Sequence, residues 1–92
     1  MSLVQLEYFV AIAEEGNIGR AARRLHVSQP PLSRQLRSLE EELGAELFKR
    51  TARGVQLLPH GKTFLEHARR VLAEVEHAKS CLGGADAQRG KA

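Results

Sequence analysis

A chain of 92 residues with 42% hydrophobic content is enough for one small domain and not for two. The single cysteine, Cys81, excludes an internal disulfide framework, and no apolar run is long enough to span a bilayer. The net charge is only +3, but it is unevenly laid out: no acid occurs from Gly16 to Leu39, where Arg20, Arg23, Arg24, Arg34 and Arg37 fall, or from Leu47 to Leu65, where Lys49, Arg50, Arg53 and Lys62 fall. Segregated positive charge is the footprint of a polyanion partner, although any one such cluster is more simply a solvated basic face. No signal peptide is read, and a soluble protein of the bacterial cytoplasm is expected. A core of this size is limited, so help from a second chain is expected too.

Leu3, Leu6, Phe9, Val10 and Ala13 recur at helical spacing and predict a first helix from about Ser2 to Glu15. Ser2 is its possible N-cap and Gly16 its stop. Glu14 and Glu15 stand at its C-terminal end, against the preference of the helix dipole. Asn17 is a plausible N-cap for a short second helix, Ile18 to Leu25, whose small Ala21 and Ala22 permit close helix approach. His26-Val27-Ser28 is a tight connector.

The third helix, Ser28 to Leu43, is expected to be the element around which the chain is built. Leu32, Leu36, Leu39 and Leu43 share one stripe, and the opposite face is polar. Ser28 is a good N-cap, Pro30 and Pro31 fit the first turn, and Gly44 is a natural stop. The exposed N-terminal side chains Gln29, Ser33, Arg34 and Arg37 suit base edges and phosphates. Two helices, a tight connector and a polar outward face predict a helix-turn-helix whose third helix enters the major groove.

Leu47-Phe48 and Val55-Gln56-Leu57-Leu58 flank the basic turn Lys49-Arg50-Thr51-Ala52-Arg53-Gly54. This predicts a two-stranded hairpin. Beside a helix-turn-helix it reads as a wing, with Arg50 and Arg53 facing the DNA backbone or minor groove. The plainer alternative is a surface hairpin with solvated arginines.

Pro59, His60 and Gly61 break the chain, and a long helix follows as far as Leu82. Its apolar positions include Phe64, Leu65, Ala68, Val71, Leu72, Val75 and Leu82, with near-heptad spacing interrupted by Lys79. So long and two-sided a helix is expected to pair with a second chain. Gly83-Gly84 is its expected end, and the small polar remainder is expected to be disordered. The predicted organisation is therefore 1–58 winged helix-turn-helix, 59–82 linker and dimerisation helix, 83–92 flexible tail. The fold class is mainly α: three helices and a two-stranded β-hairpin wing, followed by a long dimerisation helix.

The residues at this point resemble a known family. Leu6 to Gly16 carries L-x-x-F-x-x-(I/V)-A-E-x-G, Ala21 to Gln35 carries A-A-x-x-L-x-V-S-Q-P-x-L-S-R-Q, Leu39 to Arg50 carries L-E-x-x-L-G-x-x-L-F-x-R, and Gly54 to Gly61 carries G-V-x-L-x-x-x-G. The chain resembles the winged helix-turn-helix domain and linker helix of LysR-type transcriptional regulators, from Leu3 to about Leu82. Full regulators of this family have a larger C-terminal effector-binding domain, so the chain is similar to an isolated DNA-binding fragment, which is expected to bind DNA without responding to an effector. The resemblance implies that Gln29, Pro30 and Ser33 approach bases, that Arg34 and Arg37 contact phosphates or bases, and that Arg50 and Arg53 are wing contacts. The start of the second helix, with Asn17, is expected to meet a phosphate. Arg20, Ser28 and Pro31 complete the expected DNA-binding set. Gly19 departs from the family's frequent Ser or Thr, and Pro31 from its commonest Ala. The implied partners are a double-stranded promoter inverted repeat, a second copy of the chain (a homodimer, or a tetramer at full length) and, for the full-length activator, RNA polymerase. No membrane partner and no cofactor are expected.

Three other readings compete with this one. An enzyme or metal site would have to use His26, His60, His67, His77 and Cys81. His77 and Cys81 are spaced i, i+4 and could form half a zinc site, but no matching second pair exists. His26 reads as a turn residue and the others as solvated helix positions. A protein-interaction module or a non-specific architectural DNA binder would differ from the main reading in salt sensitivity or in sequence preference.

Overall fold

Helix α1 spans Leu3–Glu15 and opens with a reciprocal cap: the Ser2 Oγ accepts from Gln5 N, and the Gln5 Oε1 accepts from Ser2 N, both at 3.1 Å. Gly16 ends it at φ 68°, a left-handed conformation that glycine takes without steric penalty. In this computed structural model the backbone is described for residues 1–91 and the side chains for residues 1–83. Helix α2, Ile18–Leu25, is capped by Asn17 Oδ1, which accepts from Arg20 N at 2.9 Å. It ends at His26, whose φ of 58° makes it the one non-glycine residue with positive φ among the described residues. Helix α3, Gln29–Leu43, ends at Gly44. Strands β1 (Phe48–Thr51) and β2 (Gly54–Leu57) pair antiparallel, with Phe48 opposite Leu57 and Thr51 opposite Gly54. Helix α4 is Pro59–Lys91.

The architecture is the expected one: helices and one two-stranded hairpin arranged as a winged helix-turn-helix. Its hub, however, is α1 rather than α3. Helix α1 buries Leu6, Phe9, Val10, Ala11 and Ile12, against three buried leucines on α3. The Phe9 ring meets Phe48 of β1 at 5.4 Å and Phe64 of α4 at 5.2 Å between centroids, so one aromatic residue ties the wing and the long helix to the bundle. Leu32, Leu36 and Leu39 are buried as their spacing predicts, while Leu43, at the helix end, is only half-buried.

Three expectations are corrected. The hairpin turn is shorter than predicted: Lys49 and Arg50 lie in β1, and only Ala52 and Arg53 stand between the strands. Backbone pairing continues through the basic residues because alternating side chains on a two-stranded ribbon can face water. Second, the start of α4 serves the chain's own core. Leu65 and Ala68 are buried, and Phe64 and Leu72 pack against the same cluster. Of the residues assigned to dimerisation, only Val71 and Leu82 are exposed, and Val75 is half-buried. The one-chain hydrophobic pattern cannot tell an apolar stripe facing α1 from one facing another molecule. Third, α4 does not stop at Gly83, because an exposed helix can carry glycine at a modest cost. The rest of the expected tail, 84–92, lies outside the residues whose side chains are described.

Candidate nucleic-acid interface

The wing is anchored where α1 hands over to α2. Val55 N donates to Gly16 O at 3.1 Å, and a Cβ at Gly54, which has φ 144°, would overlap that same oxygen. Glycine is therefore required at position 54 both by conformation and by room. At the tip, Thr51 Oγ1 donates to Gly54 O at 3.2 Å and accepts from Arg53 N at 3.3 Å. At the base, Glu40 Oε2 accepts from Leu47 N at 2.7 Å, Leu58 N donates to Leu47 O at 3.0 Å, and the His60 ring bonds the Glu46 carbonyl. His60, expected to be solvated, is thus part of the clamp that joins the wing to α4. Gly61 completes it, since any side chain there would strike Leu47 O.

These ties hold the wing beside the N-terminal end of α3, and an open groove of about 400 Å³ lies between them. Asn17, Ile18 and Gly19 form one wall, Gln29 and Ser33 a second, and Arg50 to Val55 a third. Five of the expected residues, Asn17, Gln29, Ser33, Arg50 and Arg53, therefore converge although they are up to 36 positions apart in the chain (17 to 53). Arg37 sits around the corner. It lines a second recess, of about 610 Å³, with Glu40, Glu41, Glu46, Lys49 and Arg50, where both signs of charge mix. Arg50 borders both recesses. Arg20, Ser28, Pro30, Pro31 and Arg34 line neither, but Arg20, Ser28, Pro30 and Arg34 are exposed on the same helices and Pro31 is half-buried.

Ser28 corrects the sequence expectation in an informative way. It occupies the N-cap position of α3, but its side chain makes no cap bond. An N-cap oxygen accepts from the second or third helical N–H. Those positions are Pro30 and Pro31, and proline has no N–H to give. The Ser28 hydroxyl is thus left exposed and uncommitted among the described residues.

The arginines fall into two groups. Among the described residues, Arg20, Arg34, Arg37, Arg50 and Arg53 make no ion pair. Arg24 does: it reaches Glu14 at 2.7 Å and Glu15 at 3.2 Å, and Arg69 of α4 reaches Glu14 at 2.9 Å. Hydrogen bonding to Arg24, then to Arg69, holds the Glu14 carboxyl below the usual glutamate range, and bonding to Glu14, then to Glu15, raises Arg24. Arg24 counts toward the basic run in the sequence but is neutralised in the fold. The signal was the misplaced Glu14-Glu15 pair, which needs cations to offset the negative end of α1. His77 Nε2 and Cys81 Sγ are 3.6 Å apart on the exposed face of α4, and no third metal-ligating group joins them among the described residues.

Comparison with known proteins places this geometry. Residues 3–62 match the family model described as "Bacterial regulatory helix-turn-helix protein, lysR family". The HTH-type transcriptional regulator ClcR of Pseudomonas putida is 62% identical over 76 residues, which is 83% of this chain and 26% of that regulator. The chain spans about a quarter of the length of such curated relatives. Two solved structures are similar throughout. One is a crystal structure of a CbnR DBD–DNA complex (TM-score 0.88, 47% identity, 92% of this chain and 98% of that one). The other is a BenM DBD/catB site 1 DNA complex (TM-score 0.84, 45% identity, 87% of this chain and 90% of that one).

Proposed function

The chain belongs to the lysR family of bacterial regulatory helix-turn-helix proteins, and from that premise we propose that it is the sequence-specific DNA-binding part of a cytoplasmic transcriptional regulator. Residues 1–58 form the reading unit and α4 the linker that joins two copies. The observation that carries this reading is the groove. Gln29 and Ser33 of α3 and Arg50 and Arg53 of the wing, which make no ion pair among the described residues, face one open space that none of the described residues fills. Similarity to two domains solved with DNA supports the same reading.

The mechanism follows from the chemistry of these groups. The unpaired arginines displace counterions from phosphates, which provides salt-dependent affinity without sequence preference. Helix α3 enters the major groove with its N-terminal end. Gln29 presents an amide that can pair bidentately with adenine, and each such pair discriminates by about 1–3 kcal/mol. Ser33 supports the base contact, and the ring of exposed Pro30 offers an apolar edge. Ser28, freed from capping, offers a hydroxyl to a phosphate. Arg53, at the two-residue tip, reaches the minor groove, while Arg50 and Arg37 line the adjoining backbone. Arg20, Arg34, Asn17 and Pro31 complete the surface.

One such unit reads few base pairs, so two are needed. Val71 and Leu82, left exposed on α4, with the half-buried Val75 between them, meet a second chain, and a two-fold dimer then reads an inverted repeat. Half-sites are expected about one helical turn apart or a multiple of it. In the full-length protein this unit would serve a dimer or tetramer that contacts RNA polymerase.

Selection of bound duplexes from a random pool tests the whole reading. An inverted repeat strongly preferred over random DNA, bound with an affinity that falls steeply with salt, is the expected result. Binding without salt dependence, or with no sequence preference, overturns it.

A further inference from the structure

Gly19 is the second residue of α2, and nothing in its backbone calls for glycine: its φ lies outside the left-handed region, and glycine is the poorest helix former after proline. What surrounds its α-carbon is more telling. A Cβ at position 19 would stand 3.1 Å from Asn17 Oδ1 and 3.2 Å from Gln29 Nε2, with Gln29 Cδ at 3.8 Å. The amide of Gln29 therefore lies back across the first turn of α2, on the bare face of Gly19. Non-bonded atoms of this kind prefer separations of about 3.5–4.0 Å when a carbon is involved, so an added methyl would press on both neighbours, each of which must give by a few tenths of an ångström. Asn17 Oδ1 is held by the 2.9 Å cap bond from Arg20 N. The Gln29 amide makes no hydrogen bond among the described residues and ends a long, exposed side chain. Of the two, it is the group that yields more readily.

We infer that Gly19 is a positioning residue for base recognition: the missing side chain sets where the Gln29 amide rests, and through it which base pair the protein prefers. This rests on the DNA-binding reading above. Bidentate pairing with an adenine edge depends on the placement of one amide plane, and a side chain already parked near its working position loses less freedom on binding. A methyl at position 19 displaces that amide by a few tenths of an ångström and presses on the Asn17 cap, touching no phosphate-binding arginine, so removal of Gln29 separates the two effects.

The test is a thermodynamic cycle on the intact chain, using the operator selected from a random pool with each base pair of one half-site changed in turn. Wild type, Gly19→Ala, Gln29→Ala and the double variant are compared by competition binding. Gly19→Ala is expected to alter the preference at the Gln29-facing pair by about fivefold or more while leaving the salt slope unchanged. In the Gln29→Ala background the same change at position 19 should have no further effect. Thermal midpoints of all four proteins are measured alongside, and binding is compared well below the lowest of them, so that lost discrimination does not come from unfolding. In the free protein, NMR should show the Gln29 side-chain amide among the largest shifts caused by Gly19→Ala. Two results overturn the inference: a base preference within about twofold of wild type, or a change that persists without Gln29. If the wild type selects no sequence at all, the DNA reading itself fails. The free-protein spectrum then still decides whether Gly19 governs Gln29, an unmoved amide counting against it.

Discussion

Arg24 and Arg53 both lie in acid-free stretches of the chain, yet they end in opposite circumstances. Arg24 is locked between Glu14 and Glu15 at the junction of α1 and α2, with Arg69 of α4 closing the knot on Glu14. Arg53 stands at a two-residue hairpin tip with no carboxylate partner among the described residues. The first region uses charge to join three helices. The second holds charge in reserve for something outside the chain. The lesson is that a count of arginines along a sequence overstates the interface, because some cations answer acids that the fold brings to them from elsewhere.

Four changes break or sharpen this contrast. The largest removes what both regions hang on. Phe9→Ala should destabilise the fold by about 3–5 kcal/mol, since the ring is fully buried between Phe48 and Phe64. Denaturant unfolding measures this, and a loss under about 1 kcal/mol would deny α1 its central place. Next, Arg53→Ala should weaken DNA binding across all sequences and lower the salt slope by about 1, with stability unchanged within about 0.5 kcal/mol. Fluorescence anisotropy across a salt series reads it, and unchanged affinity would remove the wing from the interface.

Arg24→Ala should do the reverse. Its ion pairs are partly exposed, so stability should fall by no more than about 1 kcal/mol, and the DNA salt slope should stay as it was. A slope reduced as much as in the Arg53 variant would show that both arginines meet phosphate and would abolish the distinction. The smallest effect is on pH. Glu14 has a lowered pKa in the fold, so the unfolded chain takes up its proton first as pH drops. Its contribution is complete above the ordinary glutamate range and fades as pH falls through that range toward the lowered folded value. Acid unfolding of Glu14→Gln should accordingly be shallower than that of wild type in this window, and identical curves would mean that the knot adds no pH-linked stability.

Much of this was readable from local chemistry. The caps at Ser2, Asn17, Gly16 and Gly44, the leucine stripe of α3 and the hairpin all depend on interactions within a few residues, where spacing and residue type are sufficient information. The uncapped Ser28 was equally local: two prolines after it already withheld the donors. Other features were not readable, because they depend on what lies across the fold. The burial of Leu65 and Ala68 against α1, the bond from His60 to the Glu46 carbonyl and the neutralisation of Arg24 are of this kind.

By itself, then, the order of residues determined the helices, the ends of the first three, the wing and the polar tip of α3, since periodicity, capping and turn chemistry act over one or two turns. Only the folded chain decided that α1 is the hub and that half of the α4 stripe is occupied. It also decided that Gln29, Ser33, Arg50 and Arg53 share a groove while Arg24 does not. Those outcomes turn on which faces meet once the backbone has closed, and charge or hydrophobicity has no fixed role until its neighbours in space are known.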